Sequence, residues 1–402
     1  MTITTPRSAR PAPAMTRPSP GPDSGSIPAE LDVVHTGPGT LAGRYLRRFW
    51  QPVAVATQVE PGAARTIRVL GEEFTLYRGQ TGTPFLVDHR CAHRGAQLSV
   101  GWVEDDCIRC FYHGWKYDSS GQCVEQIAED SRFAGKVRIR AYPTHERLGL
   151  IFAYLGEAQP PAFPNFPVYD AEGELEVWVE LYPCNYFQVW ENTADEFHVA
   201  WVHSGGGTHR HLAEVPQMFA EETAYGIERR SRRPNGMVRV TQHLMPNCTR
   251  VIVPPFKGLV GAGGWRDSYL WFVPQDDENC LFFAIQQVQI APEDRDAYRS
   301  RYAEFLQASE VGRPYSEVAL DILAGKRKLA DYLDHPQSAH IEDMVAQAGQ
   351  ARIQDRSHER LGRTDVGVIL MRKLWSRELR ALLESQPLAD WQYQGQMPET
   401  GI

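Results

Sequence analysis

The sequence of 402 residues is short of long hydrophobic runs, of cysteine and of clustered positive charge. No stretch approaches the roughly 20 apolar residues that a transmembrane helix needs, so we expect no membrane association. Seven cysteines are sparse and odd in number, which favours metal-bound or free thiols in a reducing, cytoplasmic setting over a disulfide framework. A net charge of -8 argues against nucleic acid as a partner, because phosphate binding needs clustered Lys and Arg.

The length of the chain and two proline-rich segments suggest its division. Residues 1–30 are rich in Pro, Ser and Thr and lack the apolar core of a signal peptide, which is typical of a disordered tail. The segment "GEAQPPAFPNFPVYD" marks a boundary near residue 160, and two ordered domains are expected for a chain this long. We therefore predict domains over residues 31–160 and 161–402.

Hydrophobic patterning predicts a different architecture for each domain. The first contains short alternating stretches separated by turn residues, which indicate a small antiparallel β domain: "TIRVLGEEFTLYRG", "PFLVD", "KVRIRAYP" and "LGLIFAYLG". The second mixes strands such as "ELEVWVELYP" and "CLFFAIQQVQI" with helices over residues 186–203 and over "DVGVILMRKLWSRELRALL". The predicted fold class is therefore α+β, with an antiparallel sheet flanked by helices in the second domain.

Two short motifs, sixteen residues apart, place metal-binding side chains on loops of the first domain. Each motif supplies one thiol and one imidazole: Cys91 with His93, and Cys110 with His113. Zinc fingers usually take a cysteine pair from one motif and a histidine pair from the other. One cysteine and one histidine from each instead suit a Rieske [2Fe–2S] cluster, in which one iron takes two thiolates and the other two imidazoles. Gly95 and Gly114 can adopt the positive φ that lets the loops wrap a cluster, while Tyr112 and Trp115 can shield it.

"CAHRGA…CFYHGWKYD" resembles the Rieske motif of ring-hydroxylating oxygenases, and the wider resemblance covers roughly residues 35–380. The Rieske proteins of respiratory complexes carry an extra cysteine in each motif, where this chain has Ala96 and Tyr112. Phe111 stands where the oxygenases often have proline, at a position that is not a ligand. The remaining cysteines match no family ligand and are interpreted as buried thiols: Cys107, Cys123, Cys184, Cys248 and Cys280.

A further motif in the second domain, "ENTADEFHVAWVH", matches the Asn-x-x-Asp-x-x-His-x4-His pattern of the oxygenase catalytic domain. It offers Asn192, Asp195, His198 and His203. Two histidines and a carboxylate form the ligand set of non-haem iron(II) centres that activate O₂. His203 lies about 140° around an ideal helix from His198, so convergence requires the helix to loosen, which the following "SGGG" favours. His209 and His211 are nearby alternatives outside the pattern.

The carboxylate ligand is assigned by resemblance to the phthalate-dioxygenase-like branch of the family. In "EDMVAQAGQARIQDRSHERLG", Asp343 falls on the ligand position, Asp355–Arg356 on a following Asp-Arg pair, and Leu361–Gly362 on a later Leu-Gly step. Glu342 stands where a glutamine is common and is the rival ligand. Read without the resemblance, Asp343 has the pattern of an ordinary solvated helix residue.

The resemblance implies a helix-grip-like catalytic domain and the terminal oxygenase component of a multicomponent Rieske oxygenase. Such an enzyme uses O₂ to hydroxylate, cis-dihydroxylate or oxidatively cleave an aromatic substrate, here an aromatic carboxylate such as a phthalate or phenoxybenzoate. The chain contains no flavin or nicotinamide motif, so NAD(P)H electrons must arrive through a separate reductase, with or without a ferredoxin. An O- or N-demethylating monooxygenase is the alternative. A pure electron carrier is a less favoured alternative, because it would not need His198, His203 and Asp343.

The resemblance also implies an assembly. In this family the cluster of one subunit serves the mononuclear iron of its neighbour, so we expect a homotrimer or a pair of stacked trimers. Asp195 is the expected bridge between a cluster histidine of one subunit and an iron histidine of the next, and Asn192 is expected to line the iron cavity. A carboxylate substrate would need a cation in the pocket, for which Arg250 and Lys257 are candidates, although a surface position is the stronger expectation for both.

Overall fold

The computed structural model describes residues 25–129, 131–165, 173–205, 214–255, 259, 264–309 and 313–392. Residues 1–24, most of the predicted tail, lie outside this part of the chain. Residues 25–30 are described, and Ile27 packs against the main hydrophobic core. No helix of the described ranges combines the length and the apolar character needed to cross a membrane.

Three small antiparallel sheets form the first part of the fold, in the strand orders β1-β11-β10, β2-β3-β4-β9 and β5-β6-β7-β8. Their strands are β1 Trp50–Val55, β2 Ala64–Val69, β3 Glu72–Arg78, β4 Pro84–Asp88, β5 Trp102–Glu104, β6 Cys107–Arg109, β7 Lys116–Tyr117, β8 Cys123–Glu125, β9 Ala141–Tyr142, β10 Thr144–Arg147 and β11 Leu150–Tyr154. The first metal-binding motif follows β4, and the second forms the connection from β6 to β7. The predicted small antiparallel β domain is thus confirmed.

A seven-stranded antiparallel sheet dominates the second part, in the order β12-β18-β17-β16-β15-β14-β13. Its strands are β12 Glu174–Tyr182, β13 Gln217–Thr223, β14 Gly226–Arg232, β15 Val238–Leu244, β16 Cys248–Val253, β17 Arg266–Asp276 and β18 Asn279–Val288. The sequence patterns do not predict β13 and β14, because charged residues recur through both. Two of those charged residues, Glu228 and Arg229, are nevertheless buried.

Helices accompany the sheets and complete the predicted α+β class. Their bounds are α1 Leu41–Leu46, α2 Ser131–Ala134, α3 Tyr186–Ala194, α4 Phe197–Gly205, α5 Arg295–Ser309, α6 Tyr315–Leu323, α7 Ser338–Ala348 and α8 Val366–Leu383. The main core includes side chains from β1 and β11 as well as from α3, α8 and the large sheet. At its centre the fully buried Trp375 of α8 packs edge-on against Tyr45 and Phe187, at ring distances of 5.1 and 5.3 Å. The apolar face of α8 is therefore a core face, and it holds α3 in place.

The predicted continuous helix over residues 186–203 is wrong at Asp195. The backbone is extended there (φ -91°, ψ 112°), which ends α3 at Ala194, and α4 begins at Phe197. The Asp195 Oδ1 atom accepts a hydrogen bond from the Phe197 N–H at 2.7 Å and so caps the start of α4. The predicted loosening at His203 is also wrong, because α4 continues to Gly205.

Candidate metal centres and catalytic cavity

Two loops of matching backbone geometry carry the first group of metal-binding residues. The Gly95 N–H donates to the Cys91 carbonyl at 2.9 Å, and the Gly114 N–H donates to the Cys110 carbonyl at 3.0 Å. Both glycines have positive φ, 71° and 72°, as the sequence predicts. Each loop then closes with a bond from the cysteine N–H to the carbonyl five residues on, of Ala96 or Trp115, at 2.8 Å. The two thiols are therefore presented by equivalent turns.

The side chains of these loops fit a Rieske cluster. Cys91 and Cys110 are 4% and 1% exposed, and both are free thiols. Burial raises the pKa of the Cys91 thiol, and the Tyr117 hydroxyl, which tends to lower it, does not offset burial. His93 and His113 are exposed, with their ring centroids 4.5 Å apart. Two buried thiols beneath two exposed imidazoles match the ligand chemistry of a cluster that has one cysteine-bound and one histidine-bound iron.

Aromatic side chains frame this group, partly as predicted. The Trp115 ring stacks on His93 at 4.5 Å with an interplanar angle of 10°, and Tyr112 lies 3.8 Å from the His113 ring. The sequence reasoning missed Tyr117, whose hydroxyl lies 3.2 Å from the Cys91 sulfur and accepts from the Ala92 N–H. A hydroxyl next to a ligand sulfur is a means of tuning the potential of a cluster.

The second group converges from α4 and α7. His198, His203 and Asp343 place one ligand atom each within 4.8 Å of one another. The Asp343 Oδ1 atom lies 3.7 Å from His198 Nε2 and 3.4 Å from His203 Nε2. His203 reaches this point from within α4, which continues to Gly205. The structure therefore brings together the two predicted histidines and the predicted carboxylate in an arrangement that could hold one metal ion.

Glu342, the rival for the carboxylate ligand, faces the other side of His203. Its Oε2 atom lies 2.9 Å from His203 Nδ1, and both side chains are nearly fully buried. Burial lowers the pKa of His203, but Asp343 and Glu342 outweigh it and raise that pKa to about 10. Conversely, burial opposes ionisation of Asp343, but His203 brings the Asp343 pKa down to about 2. The two carboxylates make this a site that favours a cation.

Asn192 and Asp195, the remaining residues of the "ENTADEFHVAWVH" motif, surround the same group. Asn192 Nδ2 lies 3.3 Å from both Asp343 Oδ1 and His198 Nε2. The Asp195 Oδ2 atom lies 3.7 Å from His198 Nδ1, on the side away from Asp343. Asn192 and Asp195 also line the cavity. The alternatives His209 and His211 lie outside the described residues.

A cavity of about 190 Å³ opens at the three converging side chains. Much of its lining is apolar: Val189, Val199, Val251, Val253, Pro254, Pro255, Leu270, Phe272 and Phe282. Arg250 is not among its lining residues, and it is buried in an ion pair with Asp267 rather than lying at the surface. Lys257 lies outside the described residues. The cavity is also lined by three charged side chains that the sequence does not predict: Arg229, Arg239 and Glu196.

Comparisons with known proteins agree with this geometry. Residues 49–143 match the model of the Rieske [2Fe-2S] domain. The 5,5'-dehydrodivanillate O-demethylase oxygenase subunit of Sphingobium sp. (strain NBRC 103272 / SYK-6) is 30% identical over 87% of this chain and 79% of its own. The tert-butanol monooxygenase / tert-amyl alcohol desaturase oxygenase subunit of Aquincola tertiaricarbonis is 32% identical, over 86% of this chain and 76% of the relative. The phenoxybenzoate dioxygenase subunit alpha of Ectopseudomonas oleovorans is 29% identical, over 85% of this chain and 82% of the relative.

The fold is also similar to solved structures. The terminal oxygenase of carbazole 1,9a-dioxygenase from Nocardioides aromaticivorans IC177 superposes with a TM-score of 0.64 at 20% identity, covering 84% of this chain and 97% of that one. A Rieske domain, an α+β domain with a second group of metal-binding residues, and relatives that are oxygenase subunits together establish the class of enzyme. The chain belongs to the Rieske non-haem iron oxygenases and is the terminal oxygenase component of such a system.

Proposed function

We propose that the enzyme inserts oxygen from O₂ into an aromatic carboxylate, with hydroxylation, dihydroxylation or oxidative cleavage as the outcome. The observation that carries the proposal is the convergence of His198, His203 and Asp343 in the lining of a largely apolar cavity. Apolar walls suit an aromatic ring, and two histidines with one carboxylate suit iron(II) with positions left open. The phenoxybenzoate dioxygenase, a relative over most of the chain, is named for an aromatic carboxylate.

Each predicted residue has a proposed role. Cys91, His93, Cys110 and His113 hold the [2Fe–2S] cluster, and His198, His203 and Asp343 hold the mononuclear iron. When bound, these two groups supply electron transfer and O₂ activation respectively. Asn192 hydrogen-bonds Asp343 and keeps it directed at the histidines. Glu342 orients His203 through its Nδ1 atom, as outer carboxylates commonly do for metal-binding histidines.

The proposed partners are a separate reductase, with or without a ferredoxin, and further copies of this chain. Exposed His93 and His113 suit electron exchange at the protein surface. Asp195 is partly exposed, contacts His198 on one side and can meet a histidine of a neighbouring subunit on the other. A homotrimer, or two stacked trimers, would place one subunit's cluster histidines beside another subunit's Asp195.

Product analysis tests the proposed function. Anaerobically purified protein would first be assayed for iron and for the visible and EPR signals of a Rieske cluster. It would then be incubated with a generic reductase, NAD(P)H, ¹⁸O₂ and a panel of aromatic acids. We expect ¹⁸O in a hydroxylated, dihydroxylated or cleaved product. Metal content made up of zinc alone would refute the proposal.

The second candidate function is O- or N-demethylation, favoured by the similarity to an O-demethylase oxygenase subunit. The same ligand set serves both reactions, so metal content does not separate them. Methoxylated aromatic acids in the panel do, because demethylation yields formaldehyde and a phenol, whereas ring dihydroxylation yields no formaldehyde.

A further inference from the structure

Three arginines surround a single carboxylate at one wall of the catalytic cavity, and two of them line the cavity. Glu196, which is 1% exposed, places its Oε2 atom 2.9 Å from Arg229 Nη1, and its Oε1 atom 2.8 Å from Arg239 Nη1 and 2.7 Å from Arg233 Nη2. All three guanidinium groups are themselves nearly fully buried. Of the three, Arg229 and Arg239 line the cavity. The wall therefore presents two buried cations that share one anion.

The other contacts of these two arginines do not balance the charge. Arg229 donates to the Thr241 hydroxyl, and Arg239 Nη2 donates to the Ile252 carbonyl at 3.0 Å, and both acceptors are neutral. Within the described part of the chain, Arg229 Nε is buried without a hydrogen-bond acceptor. Asp195 attracts Arg229 electrostatically, but its carboxylate caps the Phe197 N–H and contacts His198. A buried guanidinium with an unused donor is costly unless an anion reaches it.

Burial also lowers the pKa of Arg229, and the neighbouring Arg239 lowers it further, with Glu196 opposing both. Glu196 contacts all three guanidinium groups through its two oxygens, so its single carboxylate is shared and cannot balance the charges of both Arg229 and Arg239. The excess positive charge faces the space in which the substrate must lie.

We propose that Arg229 and Arg239 form the subsite for the anionic group of the substrate and that this group is a carboxylate. The inference rests on the proposed function and deepens it by naming the residues that select an acid over a neutral substrate. Arginine suits this role because its planar donors can bind a carboxylate in a bidentate geometry. The apolar residues of the same cavity are left for the ring.

Glu196 sets the strength of this subsite. Its carboxylate repels the incoming anion, yet it also holds the guanidinium groups in place through its three ion pairs. Removing its charge and removing an arginine charge should therefore change the affinity for acids in opposite directions. A purely structural ion-pair cluster would not produce this sign reversal, because either substitution would only disturb the wall.

Calorimetric titration of the full-length, metal-loaded protein under anaerobic conditions tests the inference. The probes are benzoate, phthalate and 3-phenoxybenzoate, each beside its uncharged primary amide. We expect at least one acid to bind about tenfold or more tightly than its amide. Arg239→Met should weaken acid binding about tenfold and leave amide binding unchanged, whereas Arg239→Lys should retain part of the preference. Arg250→Met is the matched control, since it removes a buried arginine of the adjoining strand outside the cavity and should leave the preference unchanged.

Glu196→Gln supplies the opposite change, and we expect it to tighten acid binding while amide binding stays constant. Equal affinity for acids and amides, or no binding of any acid at millimolar concentration, overturns the inference. So does a loss of acid affinity in Glu196→Gln with intact metal content. These outcomes are separable from failure of the proposed function. A protein that holds iron and a Rieske cluster, and that oxidises a neutral substrate such as tert-butanol, would retain the function without this subsite.

Discussion

The two adjacent carboxylates of α7 should contribute to iron binding to different extents. Asp343 faces both histidines, whereas Glu342 contacts only the outer nitrogen of His203 at 2.9 Å. Asp343→Asn removes a ligand and should eliminate stable iron binding at this site. Glu342→Gln keeps an oxygen that can accept a hydrogen bond from His203 Nδ1. It removes the negative charge that makes the imidazole a more basic ligand for the metal. We therefore expect weakened but measurable iron binding in Glu342→Gln.

The magnitude follows from the burial of the His203–Glu342 pair. His203 is 6% and Glu342 4% exposed, so water screens their interaction little. Substitution of such an outer partner typically costs about 10- to 100-fold in metal affinity, equivalent to roughly 1.4–2.8 kcal/mol. Glu228→Gln serves as the matched control, because it neutralises another buried carboxylate, paired with Tyr225 and Arg230 outside the cavity.

The assay is anaerobic dialysis of each variant against a series of chelator-buffered Fe(II) concentrations. Total iron is measured by mass spectrometry, and cluster iron, determined from the Rieske absorbance, is subtracted. Glu228→Gln should match the unsubstituted protein, Glu342→Gln should require about 10- to 100-fold more free Fe(II), and Asp343→Asn should not fill. If Asp343→Asn retains iron while Glu342→Gln loses it, the assignment of ligand and outer partner is reversed. If Glu342→Gln binds iron as tightly as the control, the orienting role fails.

Three further predictions concern the cluster and its connection to the iron. Asp195→Asn should keep both metals, as shown by iron content and EPR, but should abolish product formation with reductase present; near-normal turnover would exclude the bridge. Cys91→Ala should erase the Rieske absorbance and EPR signal while mononuclear iron persists, whereas Cys107→Ala, at a cysteine outside the motifs, should retain the signal. Tyr117→Phe removes the hydroxyl 3.2 Å from the Cys91 sulfur and should lower the reduction potential of the cluster, because a hydrogen bond to sulfur favours the more negative reduced state. An unchanged potential in a voltammetric titration of Tyr117→Phe would contradict this role.

The predictions from sequence succeed where the chemistry is local. The turns at Gly95 and Gly114 could be predicted because each positive-φ glycine lies a fixed four residues after its cysteine. The placement of His198 and His203 beside Asp343 depended on resemblance, since spacing alone does not identify a carboxylate about 140 residues away. The structure brings these three together, and it also gives Glu342, the rival, a distinct position.

The residues that sequence reasoning missed acquire their meaning only through tertiary structure. Arg229 and Arg239 lie on neighbouring strands β14 and β15, and Glu196 lies between α3 and α4. In the sequence "GIERRSRR" resembles an exposed, charged segment, because nothing local shows that alternate side chains point into a buried wall. Arg250 is the converse case. The sequence makes Arg250 a candidate pocket cation, but its ion pair with Asp267 lies outside the cavity.

The break between α3 and α4 explains how one short segment can serve several parts of the proposed reaction. The extended conformation at Asp195 sends two consecutive carboxylates to different partners, Asp195 to His198 and Glu196 to the arginines. In a continuous helix these side chains would point about 100° apart around one axis. They would then not reach these separate partners, and Asp195 would not cap the start of α4. Gly367 lets α8 pack closely against the end of α3, because a Cβ atom there would lie 2.7 Å from the Ala194 carbonyl oxygen. A larger side chain at position 367 would therefore push against the end of α3, next to the point at which the proposed electron bridge and the substrate subsite diverge.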